Sequence, residues 1–76
     1  MKDVKVLGSG CASCEATYRL VAEVAKAKGI EIQLQKISNL QEIMTFGIMA
    51  TPGVVVDGKV VHSGGMPSRS KVESWL

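Results

Sequence analysis

The stretch VLGSGCASCEATYRLV, residues 6–21, passes from an apolar segment through glycines into a helical pattern. The chain has two cysteines, Cys11 and Cys14, and both stand where that helix is predicted to begin. Two thiols at this spacing can form a structural disulfide, bind a metal ion or exchange electrons as a redox-active pair. The compartment, the neighbouring elements and the size of the disulfide ring distinguish these possibilities.

The length and charge of the chain restrict its class of function. With 76 residues, we expect one domain over residues 1–76. The nine Lys/Arg and seven Asp/Glu residues are spread along the chain without a basic cluster, so we expect no nucleic-acid binding. The first residues lack the apolar core of a signal peptide, and no segment approaches the ~20 apolar residues of a membrane span. We therefore expect a cytoplasmic protein that does not enter a membrane.

Hydrophobic periodicity in the first half of the chain predicts a strand over residues 2–7, a helix over residues 12–28 that Gly29 caps, and a strand over residues 30–35. The helix has an apolar face that we expect to be buried, made of Ala16, Leu20, Val21, Val24 and Ala27. Its polar face, expected to be exposed, consists of Glu15, Arg19, Glu23 and Lys26.

The second half of the chain predicts a short helix, a hairpin and a last helix. Ser38 and Gln41 have the spacing of a capping box. The inward residues of the short helix are expected to be Leu40, Ile43, Met44 and Phe46. Residues 54–56 are typical of a buried strand, and the Asp57-Gly58 pair predicts a tight turn to a strand over residues 59–62. The last helix would begin at a serine cap and carry apolar residues, namely Ser68 or Ser70 followed by Val72, Trp75 and Leu76.

These elements predict an α/β fold in the order β-α-β-α-β-β-α, with a four-stranded mixed sheet flanked by helices. The first two strands are expected to be parallel because a helix connects them. The last two strands are expected to form an antiparallel hairpin.

The position of the cysteines favours a redox-active pair. Unpaired N–H groups at a helix N-terminus stabilise a thiolate, so Cys11 is predicted to be the exposed, activated thiol. Cys14 would lie one turn deeper, close enough to form a disulfide with Cys11. So small a ring adds little stability, and cytoplasmic thiols are held reduced. We therefore expect Cys11 to attack a partner's disulfide and Cys14 to resolve the mixed disulfide.

A second motif, Thr51-Pro52-Gly53, precedes the buried strand. Proline cannot donate a hydrogen bond within a sheet, so it is expected at an edge or at the first residue of a strand. The backbone of Thr51 would then offer hydrogen bonds to an extended peptide. From the local residues alone, a plain turn before the strand is favoured at about 3:1.

Three motifs together, GCASC after the first strand, TPG before the third and GG after the fourth, resemble the thioredoxin-like fold. The resemblance is to its small, glutaredoxin-sized redox-active disulfide proteins, and it covers essentially the whole chain. It implies a thiol–disulfide oxidoreductase without a cofactor, with Cys11 as nucleophile and Cys14 as resolving cysteine. It also implies a cis bond before Pro52. The substrate-binding residues that it implies are Gly10, Thr51, Pro52, Gly64 and Gly65.

The resemblance also implies the partners, which are disulfide-containing protein substrates and a separate reductant. Ser68 stands where glutaredoxins carry an acidic residue that holds glutathione. A thioredoxin-reductase-type flavoprotein is therefore at least as plausible a reductant as glutathione. Lys5 stands at the spacing where larger thioredoxins have a buried aspartate in the strand before the motif.

The main alternative is a heavy-metal-associated carrier of Cu(I), whose loop resembles CASC and for which two soft thiolates are suitable ligands. Such domains have a methionine where this chain has Ser9, and they end on a strand. A zinc site is less well supported, because Cys11, Cys14 and His62 supply three ligands where structural zinc needs four. We therefore expect no metal, and His62 is expected to be an ordinary strand residue. A non-catalytic interaction module with inert thiols is the third possibility.

Overall fold

The computed structural model describes residues 2–8, 10, 12–48 and 50–76. Its elements are β1 (Lys2–Leu7), α1 (Ala12–Ala27), β2 (Ile32–Ile37), α2 (Leu40–Thr45), β3 (Gly53–Val56), β4 (Lys59–Ser63) and α3 (Arg69–Trp75). This order confirms the predicted β-α-β-α-β-β-α arrangement.

The four strands form one mixed sheet in the order β2-β1-β3-β4. Strands β1 and β2 are parallel, whereas the β1/β3 and β3/β4 pairs are antiparallel, as predicted. Asp57 and Gly58 connect β3 to β4, with positive φ angles of 50° and 82°. These angles are those of a tight hairpin turn whose twist matches the flanking strands.

Helices cover both faces of the sheet, as predicted. On one face α1 and α3 pack on the strands around a cluster of valines, Val4, Val6, Val21, Val24, Val54, Val56 and Val72. On the other face α2 contributes to a smaller cluster of Leu7, Ile43, Ile48 and Val55. The alternation along β1 and β3 explains the division, because successive side chains point to opposite faces.

The predicted buried face of α1 is partly wrong. Ala27 is exposed and Ala16 is only half-buried, whereas Cys14 and Thr17 are fully buried. The Thr17 hydroxyl donates a hydrogen bond to the Ser13 carbonyl at 2.7 Å, which lets a polar side chain lie in the core. The buried stripe of α1 therefore runs through Cys14.

The second strand begins two residues later than predicted. Gly29 has a φ of 67°, its N–H donates to the Lys26 carbonyl, and the Ile30 N–H donates to the Ala25 carbonyl, each at 3.1 Å. These two bonds form a Schellman cap at the end of α1. Since Ile30 belongs to this cap, β2 starts only at Ile32.

The cap of α2 is Asn39 and not Ser38. The Asn39 side chain accepts hydrogen bonds from the Gln41 and Glu42 backbone N–H groups, at 2.9 and 3.3 Å. The inward residues were also predicted incorrectly. Ile43 is buried and Phe46 half-buried, whereas Leu40 and Met44 are 64% and 66% exposed.

The last helix confirms the Ser68 alternative. The Ser68 hydroxyl accepts a hydrogen bond from the Lys71 backbone N–H at 3.2 Å, as an N-cap residue does. Val72 is fully buried, and Trp75 and Leu76 pack against the valine cluster.

Candidate active site

Cys14 lies in the first turn of α1, and its side chain is fully buried and disulfide-bonded. It packs directly against Gly8, the residue that follows β1. A β-carbon built on Gly8 would lie 2.8 Å from the Cys14 Cβ and closer still to its Sγ. Only glycine leaves room for the sulfur here. The Gly8 N–H donates to the Ile37 carbonyl at 2.9 Å, which holds the backbone beside the sulfur in place.

The Thr51–Pro52 peptide bond is cis, the isomer that the resemblance implies. Pro52 is fully buried and Thr51 is exposed. The antiparallel register pairs Leu7 of β1 with Gly53 of β3. The next residues outward, Gly8 and Pro52, therefore lie side by side at the same end of the sheet.

The turn after β4 reaches the same end of the sheet. The Gly64 N–H donates a hydrogen bond to the Pro52 carbonyl at 3.0 Å. Gly65 follows, and its carbonyl oxygen lies 2.7 Å from Nε2 of His62. The Gly64-Gly65 pair is thus joined to the cis-proline segment on one side and to β4 on the other.

The structure brings together part of the predicted site. Cys14, Pro52 and Gly64 meet at one end of the sheet through Gly8, and Thr51 is exposed next to them. Gly10 is exposed, with a φ of 89°, in the loop that leads into α1. Cys11 lies outside the described residues, so its role as the attacking thiol stays a prediction.

An apolar groove of about 300 Å³ runs from Thr51 to α2. Its other lining residues are the apolar side chains Leu40, Ile43, Met44 and Ile48. Leu40 and Met44 are the two that are mostly exposed. A peptide that passed Thr51 could place an apolar side chain in this groove.

Sequence analysis did not identify three features of this site: Gly8, His62 and the groove. Gly8 stands between the predicted strand over residues 2–7 and the predicted helix over residues 12–28, which indicates a loop, although a glycine directly after an alternating strand can also signal close approach of another group. His62 was interpreted as an ordinary strand residue. The sequence did not indicate the groove, because Leu40 and Met44 are predicted to face inward.

In the part of the chain that the structure describes, neither a metal site nor a membrane-spanning helix is found. There, no three or more His, Cys, Asp or Glu side chains are grouped so that they could hold a metal ion. Within the same residues, the helices are too short or too polar for any of them to cross a membrane.

Comparison with known proteins agrees with this geometry. A family model described as a thioredoxin domain matches residues 2–76. A thioredoxin of Methanothermobacter thermautotrophicus is 30% identical over 76 residues, which are 100% of this chain and 99% of that protein. A thioredoxin of Methanocaldococcus jannaschii is 30% identical over 73 residues, which are 96% of this chain and 84% of that protein. A second thioredoxin of that organism is 34% identical over 67 residues, 84% of this chain and 79% of that protein.

These matches do not favour the copper-carrier alternative. The element order argues in the same direction, since α2 stands between β2 and β3, whereas a heavy-metal-associated domain passes there from one strand directly to the next. The family model covers the chain from residue 2 to residue 76. The chain therefore belongs to the thioredoxin family, and it is a thiol–disulfide oxidoreductase.

Proposed function

We propose that the chain acts as one domain that reduces disulfides of partner proteins, with Cys11 attacking and Cys14 resolving. The Cys11 thiolate attacks one sulfur of the partner's disulfide. The partner's S–S bond breaks, a mixed disulfide forms and one partner thiolate leaves. The Cys14 thiolate then attacks the Cys11 sulfur, and the second partner thiolate leaves. Two electrons pass to the partner, and the chain is left with a Cys11–Cys14 disulfide.

The full burial of Cys14 is the observation that carries this assignment. A sulfur packed between α1 and the backbone of Gly8 has no room for the disulfide of another protein. It can take part only in an exchange inside the chain, which is the task of a resolving cysteine. The other thiol of the pair must then meet the partner. Cys11 directly precedes α1 in the sequence, where backbone N–H groups stabilise a thiolate.

The substrate would bind as an extended segment beside the cis-proline. Thr51 is exposed, while Pro52 is buried and its carbonyl is already bound by Gly64. The free backbone edge at Thr51 is therefore where a peptide would pair. The apolar groove next to Thr51 supplies a place for one side chain of that peptide, with the exposed Met44 as one of its walls. Gly10, Gly64 and Gly65 would border the peptide without side chains that obstruct it.

The proposed reductant is a thioredoxin-reductase-type flavoprotein, in the cytoplasm. The Ser68 hydroxyl is used as the cap of α3, where it accepts a bond from Lys71. Since a serine hydroxyl carries no charge, it cannot hold glutathione as the acidic residue of glutaredoxins does at this position. In a competition between the two reductants, we expect the flavoprotein with NADPH to reduce the oxidised chain faster than glutathione does.

Reduction of insulin with dithiothreitol as terminal reductant tests the proposal. We expect the wild-type chain to accelerate the reaction and Cys11→Ser to abolish the acceleration. Cys14→Ser is expected to turn over much more slowly than wild type, because only dithiothreitol is left to cleave its mixed disulfide. A Cys11→Ser variant with half or more of the wild-type rate would contradict the proposal. If the chain showed no reductase activity and retained Cu(I) against a chelator, the copper-carrier function would replace it.

A further inference from the structure

The Gly64-Gly65 turn has to be held in one conformation by contacts outside itself. Both glycines have positive φ angles, 77° and 72°. Glycine reaches such angles at no steric cost but also has the largest choice of alternatives, so two in succession make a turn that is costly to order. In the folded chain this turn is pressed against the cis-proline segment. A β-carbon on Gly64 would lie 3.3 Å from the Cβ of Ala50, and the Gly64 N–H binds the Pro52 carbonyl.

The His62 side chain contacts the turn and the last helix. Its Nε2 lies 2.7 Å from the Gly65 carbonyl oxygen. A carbonyl oxygen only accepts, so Nε2 carries the hydrogen and donates it. The ring also packs on Trp75 of α3, with the centroids 5.8 Å apart and the planes tilted by 43°. The imidazole is thus fixed between the last helix and the turn.

We propose that His62 is a positioning residue for the polypeptide substrate. This inference rests on the function proposed above. The connection runs from the His62 ring to the Gly65 carbonyl, and from the Gly64 N–H to the Pro52 carbonyl. Loss of the hydrogen bond from His62 to the Gly65 carbonyl lets the turn move. The Gly64 N–H is then no longer held in place to donate to the Pro52 carbonyl. The neighbouring edge at Thr51, where an extended peptide pairs, becomes less ordered as a result.

The proposal separates two kinds of substrate. A polypeptide disulfide needs the ordered edge at Thr51, so its binding weakens when the turn is free. A small aromatic disulfide, such as 5,5′-dithiobis(2-nitrobenzoate), reacts with the attacking thiol without pairing with that edge. Loss of the His62 bond therefore raises KM for the polypeptide and leaves the rate with the small disulfide unchanged.

Three substitutions test whether the hydrogen bond to the Gly65 carbonyl positions the substrate. His62→Asn is polar but too short to bring its amide to the Gly65 carbonyl, whereas His62→Gln places its amide nitrogen near the position of Nε2. Lys59→Asn puts the same residue on an exposed position of the same strand and controls for its poor fit in a strand. We expect His62→Asn to raise KM for insulin about fivefold, the factor of one ordinary hydrogen bond. His62→Gln and Lys59→Asn should stay close to wild type, and kcat should not change.

Hydrogen exchange of the Gly64 amide, followed by NMR, gives a readout independent of activity. His62→Asn should accelerate this exchange about fivefold or more, and His62→Gln should not. Equal KM values for wild type and His62→Asn, equal effects on both disulfides, or unchanged Gly64 exchange would each overturn the inference. If the wild-type chain leaves insulin intact, the proposed function fails with the KM claim. The exchange measurement then still decides whether His62 holds the turn.

Discussion

The absence of a side chain at Gly8 determines where the Cys14 sulfur lies. The two residues come from the end of β1 and the first turn of α1, and a single methyl group at Gly8 would occupy the volume of the sulfur. Gly8 has no positive φ, so the requirement is for space and not for an unusual backbone conformation. Sequence analysis could identify Cys14 from its spacing to Cys11. It did not identify Gly8, because a glycine after a strand indicates a loop as readily as the close approach of another segment.

Substitution of Gly8 by alanine should disturb both stability and chemistry. The added Cβ forces Cys14 away, so we expect Gly8→Ala to lower the free energy of unfolding by about 1–3 kcal/mol, as overpacking does. We also expect it to slow the exchange between the attacking and resolving thiols. Urea denaturation and the rate of insulin reduction measure the two effects.

Gly29→Ala is the control for this experiment. Gly29 has a positive φ but open space around it, so a methyl group there costs about 1–2 kcal/mol through the backbone alone. Insulin reduction by this variant should match wild type. If Gly8→Ala also reduced insulin at the wild-type rate, packing against Gly8 would not position Cys14.

At the scale of elements, the short helix α2 differs most from its prediction. The spacing of Leu40, Ile43 and Met44 predicts a single buried stripe, yet only Ile43 reaches the core. A helix as short as Leu40–Thr45 covers only one end of a sheet face. The periodicity of its sequence does not show which of its apolar residues extend past the sheet and are exposed. The bounds of the long helix α1 and the Asp57-Gly58 hairpin were predicted well because a helix cap and turn residues act locally. Strand β2 was displaced because Ile30 is used by the cap of α1.

The exposed position of Met44 makes a prediction about substrate binding. Met44→Gln keeps the length of the side chain but makes it polar. We expect KM for insulin to rise about fourfold, the factor of roughly one buried methylene group. The free energy of unfolding should change by less than about 0.5 kcal/mol, since the site is exposed. Steady-state kinetics with insulin and urea denaturation measure both quantities.

Met44→Leu serves as the matched variant, because it restores an apolar side chain at the same place. Its KM should return towards the wild-type value. If Met44→Gln and wild type have the same KM, the groove beside Thr51 does not receive the substrate.

At the scale of the whole molecule, the fold is held by two apolar clusters on opposite faces of the sheet. Cys14 lies at one end of that sheet, beside Gly8. The fold class could be predicted from the order of strands and helices, since each element carried a local signal. The arrangement of the site could not, because it depends on the β1/β3 register that places Gly8 beside Pro52. Residues far apart in the sequence meet there, and only the assembled sheet brings them together.

Reduction of the chain should change its stability little. A disulfide between Cys11 and Cys14 closes a ring too small to restrict much of the unfolded chain, so its contribution stays below about 2 kcal/mol. We expect urea unfolding curves of the oxidised and reduced forms to have similar midpoints and equal slopes. Loss of cooperative unfolding on reduction would mean that the bond is a structural staple and not a redox-active pair.

The most direct test of the account is the trapping of a mixed disulfide. Reduced Cys14→Ser and Cys11→Ser variants would each be mixed with an oxidised protein substrate, quenched with acid and measured by intact mass spectrometry. We expect Cys14→Ser to accumulate a covalent complex with the substrate through its remaining thiol. Cys11→Ser should give none, because the Cys14 sulfur is buried. A complex that forms with Cys11→Ser and not with Cys14→Ser would reverse the two roles and contradict the account.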